Sequence, residues 1–281
     1  MRLGIPAGIG DASWLISKLI TSTEWPSLEF DVSDGWPNRT GDLFKLLGKK
    51  AAYAPLDYTE ILLFEKLHPY TLWNDICSNG FGRFLMQPNS HLEHIPLKDY
   101  LPDLQTDYHY KLKLPNISRK WYYPKLKSNS WIGISAASYR GAVSWSTWEM
   151  DKWSRLVKML LNRGYDIAFL GGSWDDLTKE LFYRLKVDRD RLLNLVGKTS
   201  LGEVCAIHKM LKYYIGFCSG LGIIRTVLNM PTMMLWPDHM GFLRTSWADP
   251  KDVESHRYVE SSYIAPKDVF SKFKFQESIW R

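Results

Sequence analysis

Residues Asn194–Pro237 read NLVGKTSLGEVCAIHKMLKYYIGFCSGLGIIRTVLNMPTMMLWP. After the loop VGKTS, Leu201, Val204, Ile207, His208 and Leu211 recur at the spacing of one helical face. Tyr213–Phe217 is a short aromatic and β-branched run that predicts a buried strand, and CSGLG follows it directly. Ile223–Leu228 suits another helix, Asn229-Met230-Pro231 stops it, and Thr232–Trp236 predicts a further buried strand. A strand that enters a glycine-bearing turn and then a helix leaves the first-turn N–H groups without intrahelical acceptors, with the positive end of the helix dipole behind them. Such a turn either receives a phosphate or diphosphate, or is an ordinary βα connection whose glycines only permit tight packing. Spacing alone does not separate the two.

The same alternation extends upstream. Trp131–Ser135 predicts a strand, followed by the polar loop AASYRGAVSWS and a helix over Thr147–Asn162 that Gly164 ends. Asp166–Leu170 is the next strand, running into GGSWDD, and Leu177–Leu185 is helical. Strands and helices alternating from Trp131 to Trp236 give the pattern of a doubly wound parallel sheet. Loops 136–146, 171–176 and 218–222 each follow a strand, so they gather at one sheet edge and form one cleft. In the tail, Val269–Phe275 suits a closing helix.

The first half begins with a short strand, Arg2–Pro6, leading into AGIGDASWLISKLI. Gly8 and Gly10 allow a tight turn, and Asp11 falls at the N-cap or in the first turn of a helix. Asp11 is then either a cap or a carboxylate at the ligand-bearing edge of a parallel sheet. Leu28–Val32 predicts a second strand, and DGWPNRTGD after it is turn-rich and suits an acceptor-binding rim that includes Arg39. Leu43–Leu47 and Tyr58–Leu67 have helical character, and Arg83–Gln87 suits a strand. In NSHLEH, His91 and Glu93 crowd a helix start, where Glu93 binds a substrate hydroxyl or serves only as a cap or surface charge. Between Lys111 and Lys127 the run KLKLPNISRKWYYPKLK has six cations, three aromatics, two prolines and no acid. It is read as the interdomain linker, though basic residues interleaved with aromatics also suit a nucleic-acid groove.

Composition sets the class. With 281 residues, 45% of them hydrophobic and 23% charged, the chain is globular and long enough for two α/β domains. A formal net charge of +6 favours anionic partners such as nucleotide phosphates. Cys77, Cys205 and Cys218 are odd in number and set in apolar surroundings, which suits reduced thiols rather than a disulfide framework. No Cys/His spacing suits a metal. No apolar run reaches the roughly eighteen residues of a membrane span, and no signal-peptide pattern opens the chain. The expectation is a cytoplasmic protein with no transmembrane segment.

The second half resembles the nucleotide-sugar domain of glycosyltransferases related to the bacterial lipopolysaccharide heptosyltransferases. The matching features are the strand and loop before Trp148 and Trp153, LGGSWDD, LVGKTSLGEVCAI, and FCSGLG followed by MPTMMLW; GIGD matches near the N-terminus. The resemblance implies GT-B architecture, an α/β fold with two Rossmann-like domains facing across a cleft. It implies an acceptor-binding domain over 1–125 and a nucleotide-sugar-binding domain over 126–281, whose tail packs back on the first.

The activity implied is inverting, metal-independent transfer of a hexosyl or heptosyl group from a nucleotide-sugar, a substrate rather than a cofactor, to a hydroxyl. Asp11 would be the general base. The donor would lie against Ser138, Arg140, Gly171, Asp175, Asp176, Lys198, Ser219, Gly220, Leu221 and Gly222, and the acceptor against Gly10, Arg39, His91 and Glu93. The family's diphosphate turn begins with Asp and carries His five residues later, where this chain has Cys218 and Ile223; its phosphate-binding Lys falls near Ser146, so Arg140 is the candidate replacement. SHLEH, LPDLQTDYHY and TSWADP resemble glycosyltransferase-like proteins of bacteriophages, which makes hydroxylated bases of phage DNA a candidate acceptor beside a lipopolysaccharide or other glycan. A non-catalytic nucleotide-binding protein of the same fold is the remaining alternative. A Rossmann dehydrogenase fits less well, since GIGD lacks the third glycine of the dinucleotide fingerprint.

Overall fold

The computed structural model describes residues 2–5, 8–33, 39–54, 101–128, 130–136, 148–217, 219–236, 259–261 and 265–279. The chain divides into two compact units, Met1–Lys113 with Phe242–Pro250, and Leu114–Gly241 with Lys251–Arg281.

In the first unit, β1 (Arg2–Ile5), β2 (Glu29–Ser33) and β3 (Ala51–Ala54) form a parallel sheet in the order β1-β2-β3. Helix α1 (Ile9–Leu19) follows β1, and α2 (Thr40–Leu46) follows β2. The buried side chains of α1 include Ala12, Leu15, Ile16 and Leu19 at i, i+3, i+4 and i+7, an apolar stripe, and Phe30, Val32, Leu43 and Phe44 are buried in the same unit. Residues 101–113 have no regular structure, yet they are bonded back onto this unit. Asp107 N–H donates to Ser17 O (2.7 Å), Lys113 N–H to Leu46 O (2.7 Å), and the Ser13 and Tyr110 hydroxyls meet at 2.7 Å. The Asp103 carboxylate accepts from Thr23 N–H and Ser22 Oγ, and those bonds hold it below the usual carboxylate range.

The second unit carries α3 (Tyr123–Leu126), β4 (Trp131–Ser135), α4 (Met150–Asn162), β5 (Asp166–Phe169), α5 (Asp176–Arg184), β6 (Leu192–Asn194), α6 (Leu201–Met210), β7 (Tyr213–Phe217), α7 (Gly220–Val227), β8 (Thr232–Trp236), β9 (Val259–Ser261) and α8 (Pro266–Ile279). Its six strands are all parallel, in the order β6-β5-β4-β7-β8-β9. The chain winds outward from β4 to β6, returns beside β4 as β7 and winds the other way, so the topological switch point lies between β4 and β7.

Alternate strand residues sort onto two faces. Ile132, Ile134, Ile167, Phe169, Tyr213, Ile215 and Phe217 pack with α4, α5 and α8 through Trp153, Leu156, Leu181 and Phe273. Trp131, Ala168, Leu170, Leu193 and Tyr214 pack with Val204, Ile207 and Leu211 of the α6 region and with Leu221 of α7. Helices thus cover both faces, which is why these strands read as continuous apolar runs.

The stretch read as a linker is different from a tether. Ile117, Tyr122 and Leu126 are buried in the second core and Trp131 Nε1 donates to Lys125 O (2.6 Å), so from Leu114 onward the segment belongs to that unit. Three strands went unforeseen, β3, β6 and β9. Helix α7 begins at Gly220 rather than Ile223, and α8 runs beyond Val269–Phe275 in both directions. The expected elements at Tyr58–Leu67 and Arg83–Gln87 lie outside the described residues. Among those residues no helix is long and apolar enough to cross a membrane.

Candidate functional site

Because the second sheet is parallel, the residues after β4, β5, β6 and β7 emerge at one edge. Interloop hydrogen bonds fix several of them. Ala136 N–H, just past β4, donates to the buried Thr178 Oγ1 of α5 (3.0 Å). Past β5, the Asp175 carboxylate turns back into its own loop, where Oδ2 accepts from Gly172 N–H (2.5 Å) and the residue is 6% exposed. Gly197, past β6, donates its N–H to Gly171 O (2.9 Å). It has φ +70°, and a Cβ there would stand 2.9 Å from Ser173 Cα, so only glycine lets the two loops close together.

Helix α6 begins with a capping box, the Ser200 hydroxyl accepting from Glu203 N–H and the Glu203 carboxylate from Ser200 N–H. The Lys120 ammonium also pairs with Glu203, and these bonds outweigh desolvation to hold that carboxyl low. The α7 start is different. Ser219 occupies the N-cap position in extended backbone, but its side chain makes no capping hydrogen bond. The first-turn N–H groups of Gly220, Leu221 and Gly222 have no intrahelical acceptor, and no acidic residue stands in that turn. At the other end of α7 the guanidinium of Arg225, fully buried, donates to the carbonyls of His208, Leu211 (3.0 Å) and Pro231 (3.0 Å). This clamps the helix to the end of α6 and the approach to β8. Burial, with Arg225 adding to it, pushes the neighbouring His208 well below the ordinary imidazole range, so it is neutral.

The structure therefore brings Gly171, Asp175, Asp176, Lys198, Ser219, Gly220, Leu221 and Gly222 to one edge of one sheet. Asp176 is exposed and bonded to Lys179 Nζ (3.0 Å), while Lys198 is exposed. Ser138, Arg140 and Cys218 lie outside the described residues, as do His91 and Glu93. In the first unit Gly8, not Asp11, is the N-cap of α1; Gly10 and Asp11 are the second and third helical residues, just past the end of β1. Arg39 holds the N-cap position of α2. Sequence reasoning missed Thr178, the Gly197 contact and the Ser200–Glu203 box. Only the last has a sequence signal, Ser followed three residues later by Glu.

Open parallel sheets place their ligands at the switch-point edge, and an uncapped helix start there leaves N–H groups that can take an anion. Comparison with known proteins agrees in kind. The model of glycosyltransferase family 9 (heptosyltransferase) matches residues 94–256, more than half of the chain. No curated protein matches the sequence. Among solved structures, the E. coli ADP-heptose lps heptosyltransferase II aligns with a TM-score of 0.65 at 17% identity, covering 98% of each chain. A glycosyl transferase family 9 protein from Veillonella parvula gives 0.59 at 11%, over 98% of this chain and 97% of that one. E. coli heptosyltransferase WaaC with ADP gives 0.56 at 12%, over 98% of this chain and all of that one. At these identities the likeness is one of fold, and the fold is GT-B.

Proposed function

We propose that this chain, which belongs to glycosyltransferase family 9 (heptosyltransferase), transfers a sugar from a nucleoside-diphosphate donor to a hydroxyl acceptor with inversion and without a metal. The observation that carries this is the start of α7, where three successive amides at the switch point lack both a capping side chain and an acid. Negative charge builds on the diphosphate as the glycosidic bond breaks, and fixed N–H dipoles stabilise it without reorganising. Lys198, and Arg140 as the candidate substitute for the family's lysine, add positive charge. Asp11 takes the proton of the attacking hydroxyl. One displacement inverts the anomeric carbon.

The acceptor is a lipopolysaccharide or other glycan in the first reading. One observation favours DNA carrying hydroxylated bases as the second: Trp121 stands 59% exposed in the same stretch as exposed Arg119, Lys125 and Lys127. Charge and an open aromatic face are what a nucleic-acid strand engages.

A thermal-shift screen with ADP-, UDP- and GDP-sugars tests the donor, because a ligand that binds only the folded chain raises its melting temperature. Transfer is then followed with the stabilising donor, with product anomer assigned by NMR and activity compared with and without EDTA. Binding without hydrolysis or transfer to any acceptor would leave a non-catalytic nucleotide-binding protein. For DNA, affinity should fall steeply with salt and weaken when Arg119, Lys125 and Lys127 are neutralised; salt-independent or absent binding leaves the glycan.

A further inference from the structure

Aspartate is a residue that ordinarily caps a helix from the N-cap position, and Asp175 holds that position in α5. Its side chain makes no capping hydrogen bond there. It turns back to Gly172 instead, and the two residues are joined twice: Gly172 N–H donates to Asp175 Oδ2 (2.5 Å), and Asp175 N–H donates to Gly172 O (3.1 Å). Gly171 makes room for this fold, since a Cβ there would stand 2.4 Å from the same Oδ2. Both glycines are buried, so without this acceptor the Gly172 N–H would be unpaired away from water.

Gly171 O and Gly172 N–H belong to one peptide group. Its N–H end is held by Asp175 Oδ2, and its carbonyl end accepts from Gly197 N–H (2.9 Å) in the loop after β6. A peptide group is planar, so the two ends can only turn together. With glycine on both sides, no side chain opposes that turning, and the Asp175 carboxylate is the group that stops it. Gly197, at φ +70°, rests against the Ser173 backbone with no room for a Cβ. Lys198 follows directly; its ammonium is on an exposed residue and its N–H turns back to Leu195 O (3.1 Å).

We infer that Asp175 is a positioning residue for the diphosphate site: by holding the Gly171–Gly172 peptide in one orientation it seats the Gly197 turn, and so fixes where Lys198 stands at the ligand edge. The inference rests on the nucleotide-sugar function proposed above, and it gives the Asp175 carboxylate a partner inside the protein in place of a contact with the donor's hydroxyls.

Calorimetry with ADP, UDP and GDP, and displacement of the bound diphosphate by the matching nucleoside, test this. Asp175→Ala should weaken the preferred diphosphate about tenfold, the size of one charged phosphate contact, and the nucleoside by less than about twofold. Asp175→Asn, whose amide oxygen can still accept from Gly172 N–H, should recover most of that loss. In a Lys198→Ala background Asp175→Ala should cost little more, because the cation it places is gone. A carboxylate that met the ribose would give the same loss for nucleoside and diphosphate, with and without Lys198, and that result would overturn the inference while leaving the proposed function standing. So would a lowered melting temperature in Asp175→Ala with diphosphate affinity unchanged. If Asp175→Ala does not fold, Gly197→Ala parts the two loops from the other side and should likewise weaken the diphosphate alone; unchanged diphosphate affinity there overturns the inference. Failure of the wild-type chain to bind any of the three diphosphates would overturn both.

Discussion

The turns at Gly8–Asp11 in the first unit and Ser219–Gly222 in the second share one backbone plan and differ in charge. Each follows a parallel strand and opens a helix whose first residues include glycine. In the first, Asp11 is the third residue of α1, so an acid lies in the sequence of the opening turn. In the second, the opening turn of α7 has no acid and no side-chain cap. The two helix starts thus differ by one acidic residue. Both helices also bury a cation in their last turn, with unequal support. Arg225 donates to three carbonyls, whereas Lys18, 3% exposed, reaches only Thr106 Oγ1 at 3.3 Å among the bonds described for its ammonium.

The largest expected effect tests that inequality. Arg225→Leu strands buried carbonyls at the end of α6 and before β8, and should cost about 3 kcal/mol in urea unfolding. A loss under about 1 kcal/mol would mean that water or a neighbour takes over those acceptors. Next comes the anion of the first turn. Asp11→Asn keeps the shape of α1 and removes the proposed base, so turnover should fall at least about a hundredfold, or about 2.7 kcal/mol, with the fold intact. Near-normal turnover would return Asp11 to an ordinary first-turn acid.

Lys18 should respond in the opposite sense to Arg225. Burial holds its ammonium at about 8 rather than the ordinary 10.5. Below pH 8 it is charged in both folded and unfolded chains and its full penalty applies. Between pH 8 and 10.5 the folded chain releases the proton while the unfolded chain keeps it, so stability rises with pH. Lys18→Met should therefore stabilise at pH 7 by about 2 kcal/mol, discounted for partial solvent access, and the gain should shrink through that window. A gain that does not vary with pH would assign the effect to packing.

Much of this contrast was legible in the sequence, and what was not has physical causes. The strands at 131–135, 166–169, 213–217 and 232–236 stand out because a strand covered by helices on both faces needs an unbroken apolar run. β6 has three residues inside the longer run Leu192–Val196, too few for any period to register, and β9 is Val-Glu-Ser at the sheet edge. The basic run at 111–127 concealed its three buried residues, since Ile117 stands five residues before Tyr122, and the Tyr122/Leu126 pair is a single helical spacing with Pro124 inside it. The glycine turn at 219–222 was visible. That Asp175 folds into its own loop was not, because a loop's hydrogen bonds have no sequence period.

The smallest effect is the sharpest test of the comparison, because it rewrites one turn as the other. Ser219→Asp places a carboxylate at the N-cap of α7, where it can accept from the first-turn amides and complement the dipole. Taken alone this favours the helix by about 0.5–1 kcal/mol, so the ligand-free melting temperature should hold or rise. The same carboxylate occupies the amides and repels a diphosphate, so nucleotide affinity should fall about tenfold, or about 1.4 kcal/mol. Stability and binding thus move in opposite directions. High ionic strength should narrow the binding difference, since the repulsive part is screened, but should not abolish it while the amides stay occupied. If Ser219→Asp binds nucleotide as the wild type does, the diphosphate does not rest on α7, and the charge difference between the two turns is only a matter of helix capping.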